Sequence, residues 1–162
     1  MTHTITTMPA TDLQLVEQLQ RHLASMYQSM YFVVNEMHST ETPEDIREHI
    51  LNIGERFLFA VANAADELSR MSGNAQEVSR RAFINIRRAI FAMHAIVVDA
   101  RERYPDSWVS TVLHAHGMDI LNAFHEIGPM LAQLGGWHYT GFRTENPWRP
   151  MATDPRLEAC IV

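Results

Sequence analysis

Four long stretches of this 162-residue chain repeat apolar residues at intervals of three and four, the spacing that places them along one face of an α-helix. The first predicted helix runs from about Thr11 to His38 and the second from Pro43 to about Met71. The third runs from Asn74 to about Arg103 and the fourth from Ser107 to Leu134. Short connections between long amphipathic helices favour antiparallel neighbours. The sequence therefore predicts an all-α fold, an antiparallel up-down four-helix bundle.

Residues typical of helix ends separate these stretches. The segment Thr42–Asp45 offers a capping threonine, a proline at the first helical position and acids in the first turn. Asn74 and Glu77 form a second capping-box pattern, and Ser107 is expected to cap the fourth helix. Pro129 is expected to kink that last helix, because it removes one backbone donor.

The fourth predicted helix ends in a double glycine that is followed at once by a tryptophan. Gly135 and Gly136 tolerate the positive φ with which many helices end. A large ring directly after this stop is expected to fold back onto the end of the bundle. Trp137 is therefore predicted to pack there.

The length of the chain suits one domain with a core of its own. We expect a flexible N-terminus over residues 1–10, a four-helix bundle over residues 11–136 and an irregular tail over residues 137–162. Prolines and aromatic residues alternate in the tail without a helical period. This composition predicts partial docking through rings such as those of Tyr139 and Trp148.

No membrane association is predicted, because no run of about 18 apolar residues occurs and the first ten residues lack the charged and apolar regions of a signal peptide. Cys160 is the only cysteine, which excludes an intrachain disulfide and a cysteine-rich zinc site. A cytoplasmic location is expected.

Charge is distributed unevenly along a chain whose formal net charge is −6. The second predicted helix and its leading loop carry seven acidic residues against three arginines. The third predicted helix carries six arginines against three acids. The third predicted helix is therefore basic although the net charge of the whole chain is negative.

Four arginines of that third helix form two pairs seven residues apart, Arg80, Arg81, Arg87 and Arg88. On a helical wheel they lie nearly opposite the predicted core face. They are predicted to contact RNA or an acidic partner surface. The alternative is a solvated face with salt bridges along the helix, such as Glu77 with Arg81.

The same helix carries apolar residues on two sides. The predicted core face comprises Phe83, Ile86, Ile90, Met93 and Val97, and a second apolar seam comprises Ile84, Phe91, Ala95 and Val98. A helix that is apolar on both sides is buried on both sides, so the seam is predicted to be the interface of a homo-oligomer or of a protein partner. Cover by the chain's own tail is the alternative.

No metal site and no other cofactor is predicted. His114 and His116 are two residues apart and point to different faces of a helix, and neither a Glu-x-x-His nor a His-Glu-x-x-His sequence occurs. Arg88 and His94, with five residues between them, match the loose Arg-x(4–6)-His pattern of HEPN ribonucleases. There the histidine acts as acid or base and the arginine holds the scissile phosphate. The alternative for His94 is a histidine at the boundary of the core.

The segment His125–Trp137 resembles the end of the last helix in a four-helix-bundle family. That family includes proteins encoded in 23S rRNA intervening sequences and the accessory variability determinant (Avd) of diversity-generating retroelements. The resemblance extends over about Leu19–Trp137 and includes Met26–Met30, Leu51–Phe57 and Phe83–Ile96. It implies a bundle that assembles into a barrel-shaped homo-oligomer and binds a reverse transcriptase and nucleic acid without catalysis. The nucleic-acid contacts would then fall on the two arginine pairs.

The sequence thus predicts a non-enzymatic, oligomeric adaptor or accessory protein that binds a reverse transcriptase, RNA or both. Two alternatives remain open. One is a HEPN-like ribonuclease that uses Arg88 and His94, and the other is a protein-protein interaction module without nucleic acid.

Overall fold

A computed structural model of the chain describes residues 10–39 and 42–139. These residues form four α-helices and no strand, which confirms the all-α prediction for this part of the chain. The helices are α1 (Ala10–Ser39), α2 (Glu44–Ser69), α3 (Ala75–Arg103) and α4 (Trp108–Gly135). Most of the predicted flexible N-terminus, and the predicted tail from residue 140 onwards with Trp148 and Cys160, lie outside the described residues.

The four helices surround one hydrophobic core. Each helix packs against the next along the chain, and α4 packs against α1. The predicted core face of α3 is buried throughout. Phe83 on that face stacks on Phe124 of α4, with 5.3 Å between the ring centroids. Between α1 and α2, the side chain of Gln20 donates a hydrogen bond to the carbonyl of Ala65 at 2.8 Å. No helix in the described residues combines the length and apolar character needed to cross a membrane.

The close approach of α1 and α2 depends on the absence of a side chain at Gly54. A Cβ atom placed there would lie 2.6 Å from Cγ2 of Val34, well inside van der Waals contact. Val34 is itself buried on α1, so it has little room to move. Gly54 therefore fixes how closely the two helices pack.

The predicted helix caps are only partly correct. Ser107 caps α4 as predicted, because its extended backbone lets Oγ accept a hydrogen bond from the Ser110 amide at 3.2 Å. Asn74 precedes α3 but makes no side-chain cap, since its backbone is not extended, and its Oδ1 instead accepts from the Ser72 amide. The predicted cap at Thr42 is also wrong: its hydroxyl contacts Sδ of Met37, and α2 begins without a side-chain cap.

The end of α4 confirms the prediction for the double glycine. Gly136 has a φ of 69°, the left-handed conformation that glycine adopts without strain. The amides of Gly136 and Trp137 both donate to the carbonyl of Ala132. Pro129 lies within α4, which continues to Gly135. The glycine thus ends the helix and turns the chain back.

Trp137 folds back onto the helices, as predicted. Its Nε1 donates a hydrogen bond to Oγ of Ser79 at 2.9 Å, and its ring lies 5.3 Å from that of Phe83. Tyr139 meets the same phenylalanine edge-on at 5.9 Å. A Cβ atom at Gly135 would overlap Ser79 and the indole, so glycine is needed at this position. These aromatic contacts join the segment after α4 to the start of α3.

Substitution of Gly54 by alanine tests the packing of α1 on α2. We expect Gly54→Ala to lower the free energy of unfolding, because overpacking a core costs about 1–3 kcal/mol, more than the gain of about 1 kcal/mol in helix propensity. Urea denaturation measures the difference. Gly73→Ala is the control, since no atom lies within 4 Å of the added Cβ. A Gly54→Ala protein as stable as the natural chain would contradict this account of the packing.

Candidate nucleic-acid interface

The four predicted contact arginines of α3 do not share one environment. Arg81 and Arg88 are exposed and Arg80 is half-buried, but Arg87 is only 2% exposed. The guanidinium carbon of Arg87 lies 4.1 Å from the centroid of the Phe91 ring. The prediction of a common outward face is therefore wrong for Arg87. The buried arc of α3 is wider than the predicted core face, and the Phe91 ring gives the cation a partner within it.

Arg81 is neutralised by two carboxylates. It pairs with Glu67 of α2 and with Glu77 of its own helix, each at 3.1 Å. The hydrogen bond and the charge of Glu67 raise the pKa of Arg81, and Glu77 adds to the effect. The predicted Glu77–Arg81 salt bridge is confirmed, so the solvated-face alternative describes Arg81 correctly.

Arg103 at the other end of α3 is neutralised in the same way. It pairs with Asp45 of α2 and, at 3.2 Å, with Asp99 one turn earlier on α3. Exposed ion pairs of this kind contribute little to stability. They do cancel the positive charge at both ends of the α2–α3 boundary.

A groove of about 420 Å³ lies between α2 and α3, and we call it the α2/α3 groove. Its polar lining consists of two arginines and two asparagines, and no acidic residue lines it. An exposed phenylalanine and smaller apolar residues complete the lining. The lining residues are Ile53, Arg56, Phe59, Ala60, Asn63, Asn85, Arg88, Ala89 and Ala92.

The two arginines of the groove carry uncompensated charge. Both are exposed, and neither forms an ion pair with any residue in the described part of the chain. The positions three and four residues away from Arg56 and Arg88 on their own helices hold no aspartate or glutamate. Two exposed positive charges therefore line one groove in a chain of net charge −6.

The chemistry of the groove suits an anion attached to a flat ring. Guanidinium groups form paired hydrogen bonds to phosphate or carboxylate oxygens. The amides of Asn63 and Asn85 can each donate and accept hydrogen bonds. Phe59, which is 74% exposed, offers an apolar face beside them. A nucleotide combines a phosphate, a base edge that forms hydrogen bonds and a flat aromatic ring, so it matches all three kinds of lining residue.

The contribution of α2 to this groove was not predicted. Arg56 was not singled out, because acidic residues outnumber arginines in the second predicted helix. Phe59 was not singled out, because it does not lie on the periodic apolar face of that helix. The spacing of the two residues did contain a signal, because residues three apart on a helix are neighbours on its surface. Arg56 and Phe59 therefore form an exposed pair that α3 completes with Arg88.

The second apolar seam of α3 is partly covered within the chain. Ile84 and Phe91 are half-buried and pack against the core, and Val98 is half-buried. Ala95 is exposed. The seam thus presents a smaller apolar surface than its sequence indicates, and its role as an interface remains a prediction.

The residues of the ribonuclease pattern lie in different surroundings. Arg88 is exposed in the α2/α3 groove, whereas His94 is 1% exposed in the interior. Two histidines of α4 are half-buried: the ring of His116 lies 4.7 Å from that of Phe32, and burial lowers the pKa of His125. No group of three or more histidine, cysteine or acidic side chains suited to a metal occurs in residues 10–39 and 42–139.

Comparison of the chain with protein-family models, curated proteins and solved structures finds no match. No relative therefore assigns a role to the residues of the α2/α3 groove. The resemblance to the Avd-like bundle family remains a prediction.

Proposed function

We propose that this protein is a non-enzymatic adaptor that binds RNA through the α2/α3 groove. The observation that carries the proposal is the pair Arg56 and Arg88, which face solvent without a carboxylate partner in the described residues. RNA supplies closely spaced phosphates, to which arginine binds with both charge and geometry. The protein is expected to act in the cytoplasm as the accessory partner of a reverse transcriptase or another RNA-processing protein.

The net charge of −6 is compatible with this role. Long-range repulsion is screened beyond about 8 Å at physiological salt, so the local charge of the groove dominates once RNA is near. Ion pairs hold the carboxylates at both ends of the α2–α3 boundary, as with Glu67 and Asp45. These acids are therefore not free to oppose a bound phosphate.

We also infer that the four helices alternate in direction, as an antiparallel up-down bundle. Gln20, early in α1, is bonded to Ala65, late in α2. Asp45, at the start of α2, pairs with Arg103 at the end of α3. These contacts support the arrangement that the short connections between the helices predict.

The ribonuclease alternative has less support. A catalytic histidine must come within hydrogen-bonding reach of the reacting group. His94 is 1% exposed, so it would have to leave the interior to meet a phosphate held by Arg88. An interaction module without nucleic acid differs from our proposal in one measurable property, RNA binding.

Loss of the two groove arginines tests the proposal. We expect the double variant Arg56→Gln, Arg88→Gln to bind labelled single-stranded RNA at least about tenfold more weakly, since hydrogen bonds to charged groups contribute about 1.5–3 kcal/mol each. The slope of log affinity against log salt should fall by about 1.4, the value for two phosphate contacts. Fluorescence anisotropy between about 50 and about 200 mM salt measures both quantities.

The matched control is Arg21→Gln, Arg101→Gln, which removes the same charge from exposed positions outside the groove. This control should retain affinity for RNA. Equal losses in the two double variants would show a general charge effect and would contradict a site in the groove. Absence of RNA binding by the natural chain would favour an interaction module.

The same adaptor role predicts a homo-oligomer that uses the second apolar seam of α3. Ala95 is the exposed member of the seam, so Ala95→Arg places a charge at its surface without disturbing the core. We expect light scattering to show an oligomer for the natural chain and a smaller species for Ala95→Arg. Ala115→Arg, at an exposed position of α4, is the control. A monomeric natural chain would refute this interface.

A further inference from the structure

Phe59 is the most exposed large hydrophobic residue in the described part of the chain, with 74% of its surface accessible. Its helix neighbours Phe57 and Val61 are buried, so the ring lies on the side of α2 that faces away from the core. A single exposed ring needs no explanation by itself. This ring, however, lines the same groove as Arg56 and Arg88.

The size of the groove limits what can enter it. A volume of about 420 Å³ lies within the range of about 300–1,000 Å³ for small-ligand pockets. One nucleotide fits in such a space, whereas a duplex can only lie across it. In a duplex the bases are stacked and paired inside the helix, so their faces are closed to a protein ring.

The two asparagines of the groove can each donate and accept hydrogen bonds. Asn63 and Asn85 come from facing helices, and both are half-buried. An amide side chain offers two donors and an acceptor, which match the edge of an unpaired base. An unpaired base presents this edge together with a free face.

We propose that the α2/α3 groove holds one unpaired nucleotide of a single-stranded RNA. This inference rests on the proposed function and adds to it the strandedness of the ligand. The base stacks on Phe59, its edge meets the amides of Asn63 and Asn85, and the adjoining phosphates bind Arg56 and Arg88. Stacking on aromatic rings and pairing of phosphates with basic side chains are the two elements of single-strand binding.

Three RNA probes separate stacking from charge. The first is a labelled single strand of about twelve nucleotides, within known site sizes for single-strand binding. The second is the same strand in a duplex, and the third is the strand with abasic sugars in place of nucleotides, which retains the phosphates. We expect the natural chain to bind the first probe most tightly.

Phe59→Ala should weaken binding of the base-bearing single strand by about tenfold, in line with the loss of one stacked base. Its affinity for the duplex and for the abasic strand should be unchanged. Phe59→Trp should restore tight binding of the single strand. Tyr31→Ala, which removes an aromatic ring that is 51% exposed on α1, is the control and should have no effect.

The outcomes distinguish this inference from the proposed function. An unchanged affinity of Phe59→Ala for the single strand, or an equal loss with the abasic strand, would overturn stacking while leaving RNA binding by the arginines intact. Equal affinity of the natural chain for single strand and duplex would also overturn it. Full RNA binding by the Arg56→Gln, Arg88→Gln double variant would refute the proposed function itself.

Discussion

The burial of α3 between two neighbouring helices is the constraint on which the rest of the structure depends. Twelve of its 29 residues are buried, over an arc wide enough to include Arg87 and His94. Successive residues of a helix differ in direction by about 100°. Arg87 and Arg88 are therefore separated into interior and surface although they are adjacent in sequence. The same packing encloses His94, the histidine of the ribonuclease pattern, and leaves Arg88, its arginine, in the α2/α3 groove.

Electrostatics at the α2–α3 boundary follows from the order of charges along the two helices. Carboxylates meet Arg81 and Arg103 at its two ends, so these arginines are neutralised. Between them the lining residues include arginine and asparagine but no acid. A chain with an acidic total can thus present a confined positive site. Such a site favours an anionic ligand that fits the groove over unspecific attraction to any polyanion.

The helices and their ends were predictable where the structure follows from neighbouring residues alone, through the apolar spacing of a helix or the residue preferences at its ends. The apolar period locates all four helices, and the double glycine with Trp137 locates the end of α4. The helix-cap prediction failed at Thr42, because its hydroxyl contacts Met37 and does not bind the first turn of α2. The groove was not predictable in full, because whether Phe59 of α2 and Arg88 of α3 line one groove depends on how the two helices align. The apolar spacing within one helix predicts its buried face but not how it aligns with a neighbouring helix.

The most direct test of the account is a titration of the isotopically labelled protein with single-stranded RNA, observed through its backbone amide signals by NMR. Binding of RNA in the α2/α3 groove predicts that the perturbed amides cluster on residues 53–63 of α2 and 85–92 of α3, which line the groove. Signals of the α1 and α4 surfaces, such as those near Tyr31 and Ala115, should stay in place. Perturbations centred on those surfaces, or none at all, would contradict it.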